Sequence, residues 1–129
     1  VLALLDDGTP VALGTNDLGT DGLGNDRDLA RGGGRGGDVL ALAAVVRERA
    51  RQLGLRVRGL DRRLVEAATM GGARALGMDR GPGRIGSLGP GSRADFAVYD
   101  ARGRYPYSAL MARPPCLATV VGGTVRGLT

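Results

Sequence analysis

Gly83-Arg-Ile-Gly-Ser-Leu-Gly-Pro-Gly-Ser-Arg-Ala-Asp-Phe-Ala-Val-Tyr-Asp100 joins two segments of opposite physics. Up to Ser92 it is glycine and proline with few bulky groups, a composition that makes turns. Pro90 presets φ for the second position of a turn, and Gly91 takes the positive φ that a type II turn demands next. From Ala94 to Tyr99 it becomes a short apolar run with Phe96, Val98 and Tyr99, and one acid, Asp95, near its start. An apolar run of that length between turn signals predicts a buried strand over residues 94–99.

Working outward, residues 61–76 have helical spacing, with Leu64, Val65, Ala68 and Leu76 predicted inward and Asp61 a candidate cap. Gly71 and Gly72 fall inside this helix, and either a break or a close approach to a neighbour accounts for them. Further upstream, Asp38 caps a helix over residues 39–53 that ends on Gly54. Its predicted inward residues are Val39, Leu40, Leu42, Ala43, Val46, Ala50 and Leu53. Residues 1–7 read as the last turns of a helix ending on Gly8, Thr9-Pro10 as a turn, and residues 11–15 as a short buried strand. Helix, tight turn and strand make one step of an α/β fold. Downstream, residues 101–115 carry three prolines and read as irregular. Residues 116–126 read as a hairpin around Gly122-Gly123, which supplies the two positive-φ positions of a tight turn.

Composition excludes several classes of function. The 129 residues contain no histidine, the commonest metal ligand and general base, so no histidine triad or histidine-rich metal site can be built from this chain. The net charge of +5 comes from arginines interleaved with acids, and aromatics for stacking bases are only 3%, which argues against a nucleic-acid binder. The single cysteine, Cys116, cannot form an internal disulfide and reads as a small buried hydrophobe. No apolar run is long enough for a bilayer, so no membrane partner is expected and the expected location is cytoplasmic. Arginine without lysine, with abundant glycine and alanine, suggests GC-rich coding and a bacterial source. Residues 31–37 are a glycine-arginine loop that lacks the Gly-Lys-Ser/Thr ending of a phosphate loop, and a mobile loop is expected there.

The order of pieces (a helix with Ala68-Thr-Met-Gly-Gly-Ala-Arg-Ala-Leu-Gly77, then Gly86-Ser-Leu-Gly-Pro-Gly91, then Ala94-Asp-Phe-Ala-Val98) resembles the C-terminal part of the amidohydrolase superfamily. The nearest branch is that of the cytosine deaminase, chlorohydrolase and imidazolonepropionase-like enzymes. The family closes its eighth barrel strand with Gly-Thr-Asp, whose aspartate sits at the metal and serves proton transfer to the attacking water. Here the element occurs twice, as Leu13-Gly-Thr-Asn-Asp17 and Leu18-Gly-Thr-Asp21. Asp17 lies closer to the strand end, and Asp21 has the better motif. One of them is therefore the candidate catalytic and metal-site residue, with an ordinary solvated turn as the alternative for the same residues.

The resemblance implies an α/β fold: the C-terminal fragment of a metal-dependent hydrolase (β/α)8 barrel, with its last strand and flanking helices, plus part of a small β-sandwich. Residues 1–80 would end the barrel domain, and residues 81–129 would form the C-terminal part of the composite sandwich. It implies hydrolysis of a non-peptide carbon–nitrogen bond, deaminase-like, on a small-molecule substrate, with a divalent metal, zinc foremost, in the full-length family. Lacking the histidine ligands, this chain alone is expected to bind no metal and to be inactive. A homo-oligomer is compatible with this reading, and a non-catalytic remnant or interaction module is the alternative.

Overall fold

Ala43 and Leu64, both with no exposed surface, mark the centre of the packing. The structure is a computed structural model and describes residues 1–14 and 38–128. The elements run α1 (Leu2–Asp6), α2 (Val39–Gln52), α3 (Leu60–Glu66), a π-helical turn (Ala67–Gly71), α4 (Gly72–Ala75), β1 (Phe96–Tyr99), α5 (Pro106–Met111), β2 (Cys116–Val121) and β3 (Thr124–Leu128). Helices and a small antiparallel sheet thus make up the described architecture.

Local chemistry explains the helices. The Asp38 side chain accepts a hydrogen bond from the Leu40 N–H at 3.0 Å, satisfying one of the orphan donors of α2. Arg49 and Arg51 sit in its last turn, where positive charge complements the helix dipole. Leu5, Ala43, Leu64 and Met111 form the core, with Val11, Leu13, Leu40, Val46, Val57, Leu60 and Val65 packed around them. Ala41, Ala50, Ala67 and Ala73 are also buried, so small side chains line many helix contacts and let backbones approach. The Arg63 guanidinium donates to the Leu5 carbonyl oxygen, tying α3 to the end of α1.

The sheet has the order β1-β2-β3 and is antiparallel throughout. Phe96 pairs with Val120, which pairs in turn with Val125. The hairpin turn is Gly122-Gly123, with φ of +57° and +80°, as its sequence demands. Upstream, the Ser92 N–H donates to the Gly89 carbonyl at 3.0 Å across Pro90-Gly91, and Gly91 has φ +84°, the geometry expected for a type II turn.

Several expectations are corrected. Among the described residues of the 11–15 segment no strand forms. A strand exists only by pairing, and the Leu13 N–H instead donates to the Ala67 carbonyl oxygen at 2.9 Å. The run 94–99 yields a strand only from Phe96, and Phe96 and Val98 are 39% and 42% exposed, because no described layer covers them. Residues 101–115 contain α5: Pro106 occupies its first turn, where a fixed φ and a missing N–H suit a helix start. Asp61 is not a cap, since Gly59 in the left-handed region precedes α3. Leu53 and Leu76, expected inward, lie at helix ends and are 51% and 70% exposed.

Candidate functional site

Both sequence candidates, Asp17 and Asp21, lie outside the described residues, as does the 31–37 loop. What the structure describes is the ground on either side of them. On the entering side, residues 11–13 lie against the π-helical turn, with the Leu13 N–H on the Ala67 carbonyl. On the leaving side, Asp38 caps α2 and also pairs with Arg113 at 3.5 Å.

A cleft of about 640 Å³ lies between these helices and the sheet, lined by Asp38, Thr69, Ser87, Asp95, Phe96 and Tyr99 among others. Its carboxylates are already engaged. Asp95 Oδ1 accepts from the Gly122 N–H at 2.6 Å and from Arg93 Nε at 3.0 Å. Burial raises the pKa of the Tyr99 hydroxyl, with smaller contributions from the charges of Cys116 and Asp38. Tyr99 therefore stays a neutral donor through the ordinary pH range. None of these groups is a free base beside a nucleophile.

A second cleft, of about 550 Å³, lies among α2, α3 and α5. At its edge Asp61 accepts from Arg47 Nε at 2.8 Å and from Ser108 Oγ at 2.6 Å. One half-buried carboxylate thus binds three helices together. In sequence, Asp61 has the signature of a helix cap, and nothing marks Ser108 as its partner. The partners are separated by 47 residues in sequence, and no local pattern connects them.

Among the described residues no group of three or more histidine, cysteine, aspartate or glutamate side chains is placed to hold a metal ion. Cys116 sits in β2, with its Sγ 3.5 Å from the Ala118 carbonyl oxygen, and has no carboxylate cluster around it. The described residues by themselves therefore do not supply the roughly three protein ligands and open position of a catalytic metal site. No described helix is long and apolar enough to cross a membrane.

The model of the amidohydrolase family matches residues 1–126. The chain belongs to the amidohydrolase family, whose members are generally metal-dependent hydrolases. No curated protein and no solved structure matches it.

Proposed function

We propose that this member of the amidohydrolase family is the C-terminal portion of a hydrolase acting on a non-peptide carbon–nitrogen bond of a small molecule, deaminase-like in kind and inactive by itself. In this reading residues 1–80 close a (β/α)8 barrel and residues 81–129 belong to a β-sandwich. The branch is that of the cytosine deaminase, chlorohydrolase and imidazolonepropionase-like enzymes, the metal is zinc, the enzyme works in the cytoplasm, and copies of it associate.

One observation carries the reading: a family match over residues 1–126 coincides with a chain that has no histidine. The family's chemistry needs a metal-bound water, and this chain offers one candidate carboxylate, Asp17 or Asp21. The remaining ligands must then come from residues not in this sequence. The lone 11–14 segment fits the same account. A barrel strand pairs on both edges, and among the described residues this segment has no strand partner.

The test is metal content and turnover of the 129-residue chain beside a chain extended with its upstream coding sequence. The short chain is expected to carry no stoichiometric zinc and to hydrolyse no amidohydrolase substrate. The extended chain is expected to carry zinc and to turn over substrate, and to lose turnover when the correct one of Asp17→Ala and Asp21→Ala is introduced. Stoichiometric zinc with turnover in the short chain sinks the fragment reading. An extended chain that stays inert favours a non-catalytic remnant or interaction module. Activity surviving loss of both aspartates removes the site assignment.

A further inference from the structure

We propose that the cleft among α2, α3 and α5 is a binding site for a small molecule made of a flat ring and a phosphate. The site does not rest on the function proposed above.

The first observation is where the charge lies. Between residues 47 and 63 the sequence places seven arginines and two acids, a surplus of five that equals the formal net charge of the whole chain. The other eleven arginines are balanced by the other eleven acids. The fold turns part of this surplus toward one cleft of about 550 Å³, an ordinary size for a small-molecule site. Arg47 and Arg51 of α2 and Arg62 of α3 line it. Its one lining acid, Asp61, is already engaged by Arg47 and Ser108. Arg51 and Arg62 pair only with Glu48 and Glu66 of their own helices, at 3.8 Å and 3.0 Å, and all four side chains are exposed. An exposed pair of this spacing is worth a factor of about two in an equilibrium, so a phosphate reaching both helices displaces it. Arg47 and Arg62 make their ion pairs through Nε, and a guanidinium has further donors on its terminal nitrogens.

The second observation is where the aromatics lie. The chain has four aromatic side chains, and two of them, Tyr105 and Tyr107, line this cleft while remaining 67% and 43% exposed. Leu55, on the same lining, is exposed as well. Apolar groups gathered in a concave surface and rimmed by charge mark a ligand groove. The Arg104 guanidinium lies over the Tyr105 ring, 5.7 Å from its centroid, and adds a cation at the aromatic side. The two halves of the lining thus ask for two halves of a ligand. Tyrosine faces stack a flat ring, and arginine forks from facing helices grip an anion. The surplus of cations favours a doubly charged phosphate over a carboxylate.

Equilibrium binding of adenosine 5′-monophosphate to the 129-residue chain tests the site, beside adenosine and inorganic phosphate, which each carry one half of the recognised group. Saturable binding of the monophosphate is expected, about tenfold or more tighter than either half. Arg51→Gln with Arg62→Gln is expected to weaken it about tenfold or more. Arg80→Gln with Arg126→Gln removes the same charge elsewhere and is expected to leave it unchanged. All four arginines are exposed, so neither pair of substitutions opens the core. Tyr105→Leu with Tyr107→Leu is expected to lower the affinity to that of inorganic phosphate. Inorganic phosphate binding as tightly as the monophosphate removes the ring from the proposal. Equal weakening by the two arginine pairs reduces the site to general electrostatics and overturns it. Lack of saturation at about 10 mM monophosphate overturns it too. A single-stranded oligonucleotide whose affinity grows with length, while the monophosphate stays unbound, replaces the site with a polyanion surface.

Discussion

The helices around Leu64 and the three-stranded sheet are held together by different means. Every buried hydrophobic side chain among the described residues belongs to a helix or to the π-turn: Leu5, Ala41, Ala43, Ala50, Leu64, Ala67, Ala73 and Met111. The sheet contributes none. Val125, inside β3, is 53% exposed, and Leu128 at its end is 80% exposed. The helical half is thus stabilised by burial, which is non-directional and sums over area. The sheet is shaped by directional chemistry: ladder pairing, a Gly-Gly turn, and the Asp95 carboxylate reaching the turn from the start of β1. A sheet held that way keeps its topology while leaving its apolar groups in water.

If burial sets the stability of the helical half, its centre is the place to break it. Leu64 has no exposed surface and belongs to one core cluster with Leu5 of α1, Ala43 of α2 and Met111 of α5. Leu64→Ala removes buried methyl groups and leaves a cavity, so an unfolding free energy lower by about 2–5 kcal/mol is expected. Urea denaturation followed by far-UV circular dichroism measures it. A loss below about 1 kcal/mol would show that the helices around Leu64 can collapse onto the gap, and the contrast with the sheet would fail.

Directional chemistry is tested at Asp95. Its Oδ1 holds the Gly122 N–H at 2.6 Å while its side chain remains 34% exposed. Asp95→Ala deletes a charge-assisted acceptor that solvent partly replaces, so a cost of about 1 kcal/mol is expected. The change should be local, seen as faster exchange of the Gly122 amide with helix amides undisturbed. Loss of helix protection alongside it would mean that sheet and helices unfold as one unit.

The same contrast explains what was legible in the sequence. The hairpin could be read because Gly122-Gly123 dictates its own turn, and α2 because Asp38 and the apolar spacing are local. Burial of Phe96 and Val98 was misread, because an apolar run reports a preference for being covered and not whether a layer lies over it. Among the described residues of the strand expected at 11–15 none forms a strand, for a related reason: pairing is a property of neighbours. The helix starting at Pro106 was not legible within the 101–115 stretch, because proline looks the same at a helix start and in a loop. For Gly71 and Gly72 both readings were open: a Cβ at Gly71 would meet the Val11 carbonyl oxygen, while one at Gly72 would meet nothing within 4 Å. The candidate aspartates were found by motif, and they lie outside the described residues, so the site was legible only as a pair of positions. The Arg47–Asp61–Ser108 junction was not legible, since its members meet through tertiary packing alone.

The smallest effect is expected where the sheet is most open. Val125 pairs with Val120 across the ladder and is 53% exposed, and β3 is an edge strand with every described residue exposed. Val125→Thr keeps the β-branch that strands favour and exchanges one methyl for a hydroxyl. In a buried position that swap is costly, because the hydroxyl needs a partner. Here water supplies one, so the change in unfolding free energy should stay within about 0.5 kcal/mol. The comparison with Leu64→Ala is then direct, since both probes alter a single aliphatic side chain in a regular element. Denaturation midpoints of the two variants, measured in the same buffer, check it. If Val125→Thr costs as much as about 2 kcal/mol, the value for a buried site, then something covers that face in solution. Repeating the measurement at several protein concentrations identifies the cover: a midpoint that rises with concentration would mean a second copy lies on the sheet.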